Sequence, residues 1–436
     1  MTTLPQAAPV LPTIVEHRAL RFLLIFLLYV AQGLPIGIFL FALPAWLAAA
    51  GASAAEIGAL VSAATLPWSL KFVNGFLMDR FAWLPMGRRR PWLIGSQMMI
   101  MVGLVSFALV SPGVGDLWLL CAFAFAVNLA TTFQDVAVDG MAIDLVPPAE
   151  RARANGFMFG GQSIGIWAGA AVTGILLSAY GLATAMLTSA VLVGVILLLV
   201  VLFRERPGEK VLPWLAGEAS SLNIARHVGD WKTIVVTTLS ELFRKESVKL
   251  MVGLFLLGTV YGTYLGVQPL MATGPGGWSD AAFSSLTGTG NLVAGILGVL
   301  FFGHIADRLT PRRAAMAGGL GVAILSTAFV AASDYWAAEM LVVSFVFAHL
   351  SLYLLVQISL CSIAMGRCNP AVSATQFTLY MAVSNMGITA SAALLGVLDA
   401  LGGLYAMYAG IVVAGLLIVV AGIVFREAFT ATDADG

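Results

Sequence analysis

Two aspartates, Asp135 and Asp139, lie inside a long apolar stretch of the chain. Their spacing of i and i+4 would place both carboxylates on one face of a helix. A charged aspartate at the middle of a membrane costs about 2.5 to 3.5 kcal/mol on insertion scales, so such residues usually serve a function. We therefore predict that Asp135 and Asp139 bind a proton or contact a substrate. A buried structural hydrogen bond is the alternative.

Lys71 is a basic residue inside another apolar run, ahead of Asp79. One interpretation is that its side chain snorkels toward lipid headgroups. The other is an ion pair with Asp135 or Asp139, which would make protonation of the carboxylate depend on whether the pair is intact. The sequence leaves both interpretations open.

Polar residues also occur in apolar runs elsewhere. His349, Tyr353 and Gln357 follow one another at i, i+4 and i+8 and so form one stripe, which could line a polar cavity or join two helices by hydrogen bonds. His349 is a further candidate proton carrier. The remaining cavity candidates are Gln32, Asn128, Gln134, Gln162, Tyr261, Tyr264, Gln268, Asn291, Gln376, Tyr380 and Asn385.

The composition places these residues in a membrane protein. Of 436 residues 60% are hydrophobic and 10% are charged, whereas soluble domains carry about 25% charged residues. A membrane-spanning helix needs roughly 20 apolar residues. We predict an all-α protein with twelve spans, at about 20–49, 56–77, 92–111, 117–141, 155–179, 183–203, 249–272, 281–303, 314–332, 338–363, 373–397 and 402–425.

One motif occurs twice. Gly75-Phe-Leu-Met-Asp79-Arg80 closes the second predicted span, and Gly303-His-Ile-Ala-Asp307-Arg308 closes the eighth. This repetition indicates an internal duplication into two six-helix bundles. We predict a gating latch at one face of the protein, made of Gly75, Asp79, Arg80, Arg88, Arg89, Arg90, Asp144, Gly303, Asp307, Arg308, Arg312 and Arg313.

The basic residues predict the orientation. Apart from Lys71, the other 21 of the 22 Lys and Arg residues fall at the ends or in the loops on one face of the predicted spans. By the positive-inside rule that face, with both termini, should be cytoplasmic. The opposite loops carry the acids Glu56, Asp116, Asp280, Asp334, Glu339 and Asp399.

The predicted domains follow from the spans. They are a tail (1–19), a first bundle (20–203), a linker (204–248), a second bundle (249–425) and a tail (426–436). The linker contains an amphipathic pattern that predicts a helix on the membrane surface. Its apolar face comprises Trp231, Ile234, Val235, Thr238, Leu239 and Leu242, opposite Lys232, Glu241, Lys245 and Glu246. A simple connector is favoured over a regulatory element.

Several classes of function find no support. The first apolar run is too long for a cleavable signal peptide, so we expect a retained first span. Cys121, Cys361 and Cys368 form no metal-ligand spacing. We expect no enzyme activity, no metal, no cofactor and no nucleic-acid partner. The expected partners are a small-molecule substrate, protons and the lipid bilayer, and the expected state is a monomer.

The duplicated motif resembles the loop signature of the major facilitator superfamily of transporters. Within that superfamily, Gly33-Leu-Pro35, Gln134-Asp-Val-Ala-Val-Asp139 and Cys368-Asn369-Pro together resemble AmpG-type muropeptide permeases, which are related to acetyl-CoA transporters and certain ferric-siderophore permeases. The resemblance implies proton-driven import across a bacterial inner membrane, with Asp135 and Asp139 as the family's membrane aspartates.

Two departures from that group bear on the substrate. The run Gly140-Met-Ala-Ile143 is uncharged where AmpG permeases carry a lysine, and the seventh span lacks their charged residues. A siderophore, a CoA thioester or another amphipathic solute therefore stays open beside a muropeptide. A membrane assembly factor or sensor with a transporter fold is the alternative from another class.

Overall fold

The computed structural model describes residues 12–430, without the side chains of Ala54, Asp280, Ala281 and Ala392. Within that range the chain forms helices and turns, with no strand. The predicted tails at 1–19 and 426–436 therefore lie partly outside the described residues, and the side chain of Asp280 lies outside them as well.

The first half contains six spans. The first span comprises Arg18–Gly37, Ile38–Ala42 and Leu43–Ala49, and the second comprises Ala54–Leu70 and Phe72–Arg80. The third span is Arg90–Val110 and the fourth is Leu117–Leu145. The fifth and sixth spans comprise Arg151–Trp167, Ala168–Val172 and Thr173–Leu202. The fifth and sixth spans form one helical run that turns back at Gly181. Its φ of 81° is a left-handed conformation that glycine adopts without strain.

The second half contains six more. The seventh comprises Lys245–Thr273, the eighth Asp280–Leu297, Gly298–Phe302 and Gly303–Leu309, the ninth Pro311–Ala331, the tenth Glu339–Arg367, and the eleventh and twelfth Ser373–Val424. This last run breaks at Gly402 and Gly403, where the φ of Gly403 is 60°. The sequence-based prediction of twelve helices in two bundles is confirmed.

Length and hydropathy single out nine helices of the described chain as long and apolar enough to cross a membrane. One of them, Pro148–Leu202, contains two spans because of the break at Gly181. The second span and the eleventh span complete the twelve. The last of the nine helices, Ala393–Val424, contains the twelfth span and only the end of the eleventh, which begins at Ser373.

Glycines bring helices of each bundle into close contact. A Cβ atom on Gly165 of the fifth span would lie 2.3 Å from Val30 O of the first span. In the second half, a Cβ atom on Gly258 of the seventh span would lie 1.8 Å from Ser384 O of the eleventh. Small residues allow membrane helices to approach in this way. The two bundles thus use the same device at equivalent helix pairs.

In the described residues, the two halves pack most closely toward one end. We call the face that carries Arg88, Arg89, Arg90 and Arg151 the arginine face. One apolar core cluster joins first-half residues near that face, such as Met141, to the second half, whereas the other cluster stays within the first half. The space between the halves is therefore closed toward the arginine face and widens toward the opposite one.

The linker crosses the arginine face. Its helix Trp231–Leu242 contacts the first half through Trp231, whose ring centroid is 5.7 Å from that of Phe81. It contacts the second half through Glu241, whose Oε1 accepts a hydrogen bond of 3.0 Å from Asn369 Nδ2. Glu241 is buried, although the helical pattern places it on the polar face. The reason is this contact with Asn369, which sequence periodicity does not show.

Candidate substrate and coupling site

A cavity of about 620 Å³ lies between the two halves. This volume is within the range of small-molecule sites, about 300 to 1,000 Å³. Its wall is formed by the first, second, fourth and fifth spans and by the seventh, eighth, tenth and eleventh. Nine of the residues predicted from the sequence line it: Lys71, Asp135, Asp139, Gln162, Tyr261, Asn291, Tyr353, Gln357 and Asn385.

An ion pair lies on the first-half wall of the cavity. Lys71 Nζ is 2.8 Å from Asp135 Oδ2, and both side chains are largely buried. Lys71 occupies the break between helices Ala54–Leu70 and Phe72–Arg80, just after Pro67. Proline removes a helical hydrogen bond and bends the helix. Of the two interpretations of Lys71, the structure supports the ion pair.

Two side chains of the first span hold the aspartates. Gln32 Nε2 donates a hydrogen bond of 2.7 Å to Asp135 Oδ1, and Tyr29 OH donates one to Asp139 Oδ1. Gln32 does not line the cavity itself, but it contacts Asp135, which does. Sequence reasoning missed Tyr29, because a tyrosine in an apolar span carries no distinct signal. Tyr29 lies three residues before Gln32 and so on the same helix face, and this spacing could have indicated that Tyr29 faces the site.

The second-half wall is uncharged. Tyr261 and Tyr353 stack with ring centroids 4.8 Å apart, and Gln357 and Asn385 add neutral hydrogen-bonding groups. All charged side chains on the described wall thus come from the first half. A solute in this cavity would meet charge on one side and aromatic surface on the other.

Three second-half candidates lie away from the cavity. His349 stacks on Tyr264 with ring centroids 4.2 Å apart, and Tyr408 OH donates a hydrogen bond of 2.8 Å to Gln268 Oε1. All four side chains are buried between helices of the second half. Of the stripe at 349, 353 and 357, Tyr353 and Gln357 line the cavity and His349 does not. His349 instead packs against the rings of Tyr264 and Phe345 within the second half.

Four other candidates serve as hydrogen-bonding groups between or within helices. Asn128 Oδ1 accepts from Trp68 Nε1 at 3.1 Å, and Gln134 Nε2 donates to Leu28 O at 2.5 Å. Gln376 Nε2 donates to Tyr380 OH at 2.9 Å, and Tyr380 OH donates to Ser247 Oγ at 2.9 Å. These four residues do not line the cavity.

Asp79 joins the two halves at the arginine face. Its Oδ2 accepts hydrogen bonds from the backbone N–H of Thr375 at 2.9 Å and from Thr375 Oγ1 at 2.8 Å. Thr375 lies in the first turn of the eleventh span, where a carboxylate also interacts favourably with the helix dipole. Gly75 permits the approach, because a Cβ atom there would lie 2.8 Å from Thr375 Cα.

Two arginines reinforce this contact. Arg89 Nη2 is 2.8 Å from Asp79 Oδ1 and donates to Ser373 Oγ at 2.9 Å, and Arg89 Nε is 3.2 Å from Asp144 Oδ2. Arg88 donates to the backbone oxygens of Pro370 and Ala371 in the second half. Arg90 instead donates within the first half, to carbonyls of the sixth span and the linker. Arg80 lies over the ring of Phe81.

The second copy of the motif forms a weaker contact. Asp307 Oδ2 is 3.4 Å from Arg153 Nη2, and the carboxylate interacts with the backbone N–H of Ala152 at the start of the fifth span. Gly303 again permits close approach, because a Cβ atom there would lie 2.6 Å from Arg153 Cα.

The arginines behind the second motif do not join a latch. Arg308 and Arg313 are exposed, and Arg312 Nη1 donates to Gly422 O at 3.1 Å within the second half. The physical reason is the connection: the helix that ends at Leu309 is followed at once by Pro311–Ala331, which leaves no loop to fold back. The prediction of equivalent arginine latches in both halves is therefore wrong in geometry for Arg308, Arg312 and Arg313.

The start of the linker holds the arginine loop in place. Glu205 accepts hydrogen bonds from the backbone N–H groups of Arg88, Arg89 and Arg90, at 2.9, 2.8 and 2.5 Å. Burial and the nearby charge of Glu205 raise the pKa of Glu209 to about 8. Two carboxyl groups of the linker therefore share one buried site beneath the loop that carries Arg88, Arg89 and Arg90.

This site predicts a pH dependence of stability. A carboxyl group whose pKa is raised in the folded state contributes stability that is fully present below its ordinary pKa and is lost as the pH rises through about 8. We expect the melting temperature of the detergent-purified protein to fall between pH 5 and pH 9. Glu209→Gln should flatten this fall, because its side chain stays neutral. An equal fall in both proteins would contradict the assignment.

Among the described residues, no group of His, Cys, Asp and Glu side chains is placed to hold a metal ion. The site is thus an ion pair, a second carboxylate and an aromatic wall between two pseudo-symmetric bundles. A family model of the Major Facilitator Superfamily matches residues 25–392. The chain belongs to this superfamily.

Solved structures of this superfamily share the fold. The transporter FucP in its outward conformation superimposes with a TM-score of 0.68 at 15% identity, covering 94% of this chain and 98% of that one. The human organic anion transporter MFSD10 gives a TM-score of 0.67 at 14% identity, covering 93% and 99%. At these identities the likeness concerns the fold alone.

Curated relatives match a shorter part. The chain is 27% identical to the anhydromuropeptide permease of Escherichia coli K12 over 146 residues, which are 34% of this chain and 29% of the permease. It is 28% identical over 176 residues to an uncharacterized membrane protein of Saccharomyces cerevisiae, 35% of this chain and 31% of that protein. The chain therefore aligns with less than a third of the length of these relatives.

Proposed function

We propose that this superfamily member is a proton-coupled transporter that imports muropeptide-like solutes across a bacterial inner membrane by alternating access. The observation that carries the proposal is the group of Lys71, Asp135 and Asp139 on the cavity wall. One ammonium and two carboxylates leave one negative charge uncompensated in a buried site. A proton restores neutrality, so occupancy of this site by a proton is linked to the state of the ion pair.

The two halves supply a route for the solute. With the arginine face closed, the cavity is accessible from the opposite face. If the arginine face is cytoplasmic, as the positive-inside rule indicates, this is the state that receives a solute from outside. Opening the contacts of Asp79 and Asp307 while the halves close at the other end would release the solute inside. One chain carries both halves, so a monomer suffices for the cycle.

The muropeptide class rests on the relative that bears that name and on the resemblance of Gln134–Asp139 to such permeases. The uncharged wall formed by Tyr261, Tyr353 and Gln357 favours a second candidate, an amphipathic solute such as a siderophore or a CoA thioester. Such a wall offers apolar contact and neutral hydrogen bonds rather than charge.

Uptake by reconstituted vesicles tests the proposal. We expect an inward proton gradient to drive accumulation of a radiolabelled anhydromuropeptide, and a protonophore to abolish it. In a permease-deficient bacterium the gene should restore muropeptide-dependent β-lactamase induction. A thermal-shift screen with muropeptides, siderophores and CoA thioesters ranks the ligands, because a ligand that binds the folded state stabilises it. A well-expressed protein that neither transports nor is stabilised by any of them would indicate the assembly-factor or sensor class instead.

A further inference from the structure

A second cavity of about 1,000 Å³ lies between the second and eleventh spans. It shares five wall residues with the central cavity, so the two spaces adjoin each other there. These residues are Thr65, Trp68, Lys71, Asn385 and Ile388. We call this second space the side slot.

The bend in the second span creates the side slot. Below the bend, Phe72–Arg80 packs tightly on the eleventh span through Gly75 and Thr375. Above it, Ala54–Leu70 diverges from that span. The outer wall is built of small and apolar residues, with Phe72 37% and Met386 62% exposed. In a membrane these exposed side chains would contact the hydrocarbon of the bilayer.

The side slot changes in polarity along its length. At its inner end lies Lys71, the one cation on the described walls of either cavity. The indole N–H of Trp68 is occupied by Asn128 Oδ1 at 3.1 Å, so the Trp68 ring presents apolar surface there. Toward the bilayer the wall includes Phe72, Ala382 and Ala390. A ligand that fits both ends has an anionic head and an apolar chain.

We infer that the side slot binds a single-chain anionic amphiphile, with its head at Lys71 and its chain lying between the second and eleventh spans toward the membrane. The inference rests on the proposed transport function for its role, since it names the substrate class of the same central site. An anionic head that pairs with Lys71 leaves both Asp135 and Asp139 without a cation. Binding of the head and protonation of these two carboxyl groups would therefore be coupled.

Photolabelling tests the site directly. The probe is dodecyl phosphate with a diazirine near the end of its chain, added to the full-length protein in phosphatidylcholine vesicles. We expect adducts to concentrate in the segments 65–72 and 378–393. Ala390→Trp, which fills the side slot, should reduce these adducts at least fivefold, and Lys71→Gln should reduce them by a similar factor. Ser69→Phe fills the space from the opposite wall if Ala390→Trp does not fold.

Two controls separate the side slot from ordinary lipid contact. Val413→Trp adds the same side chain on the exposed surface of the twelfth span and should leave the labelling unchanged. Dodecyltrimethylammonium with the same diazirine reverses the head charge and should label these segments weakly. Equal labelling by both probes, or adducts spread over the twelfth span, would overturn the inference. Labelling requires no transport, so failure of muropeptide uptake would count against the proposed function and not against the side slot.

Discussion

Replacement of Asp135 by asparagine is expected to abolish accumulation of the solute against a gradient while solute exchange continues. Asparagine keeps the size of the side chain and still accepts a hydrogen bond from Gln32, but it carries no titratable proton. Exchange of solute across the membrane needs no net proton movement, whereas accumulation does. Loss of coupling should therefore lower concentrative uptake to the level of equilibration, with a much smaller effect on exchange.

Proteoliposomes allow both quantities to be measured in one preparation. Uptake is driven by an imposed proton gradient, and exchange is measured with labelled solute outside and unlabelled solute inside. Asp116→Asn, in a loop far from the cavity, is the matched control and should retain both activities. If the lone charge of Lys71 destabilises the variant, the double variant Asp135→Asn with Lys71→Gln removes it.

Full concentrative uptake by Asp135→Asn would rule out Asp135 as the proton carrier. Asp139 would then be the next candidate, because it lies on the same cavity wall and accepts a hydrogen bond from Tyr29. His349 would follow it. Its stacked position against Tyr264, away from the cavity, makes it a weaker candidate than the sequence alone indicated.

The architecture could be predicted from the sequence because a membrane imposes a length and a polarity on each helix. The helix ends were less predictable. The tenth span was expected at 338–363, and its helix extends to Arg367. A helix can continue with charged residues after it leaves the apolar layer of the membrane. Hydropathy therefore predicts where the chain enters and leaves that layer, and not where the helix ends.

The pairing inside the site could be predicted only in part. Helical spacing placed Asp135 and Asp139 on one face, but the distance to Lys71 depends on how the second and fourth spans are rotated and bent, which periodicity does not give. The first and fourth spans run in opposite directions. Tyr29 therefore meets Asp139 while Gln32 meets Asp135. That match between two helix faces is visible once the spans are known to be neighbours.

The repeated motif shows that similar sequence does not guarantee similar contacts. Both aspartates reach the start of a helix in the other half, Asp79 at Thr375 and Asp307 at Ala152. The arginines differ, because a loop folds back after Asp79 whereas Thr310 alone connects the eighth span to the ninth. Both copies of the motif thus make the contact between the halves, but the arginine network is present only around the first copy.

This asymmetry predicts that Asp79→Ala opens the arginine face far more than Asp307→Ala does. Asp79 is fully buried, accepts two hydrogen bonds from Thr375 and pairs with two arginines. The pair of Asp307 and Arg153 is longer, at 3.4 Å, and partly exposed. Removal of one partner from a buried charge pair typically costs about 3 to 5 kcal/mol, whereas an exposed pair contributes about 0 to 1 kcal/mol.

A gentler variant protects this test against misfolding. Thr375→Val removes the side-chain hydrogen bond to Asp79 and keeps the backbone one, and hydrogen bonds to charged groups contribute about 1.5 to 3 kcal/mol. That energy corresponds to a shift of roughly ten- to a hundredfold toward the open arginine face. Turnover should slow more than solute binding weakens, because the variant changes the balance of the two states and not the cavity wall.

The native Cys368 provides a test of the proposed gate. It is buried near the arginine face in the closed state and should react with a membrane-impermeant maleimide only when that face opens. With Cys121 and the cavity-lining Cys361 both replaced by serine, we expect the labelling rate to rise strongly in Asp79→Ala, clearly in Thr375→Val and slightly in Asp307→Ala. Asp116→Ala should match the parent protein. Unchanged labelling in Asp79→Ala and Asp307→Ala would mean that these aspartates only anchor the helix ends, and the gate would then have to depend on the contacts of Arg88 and the linker helix.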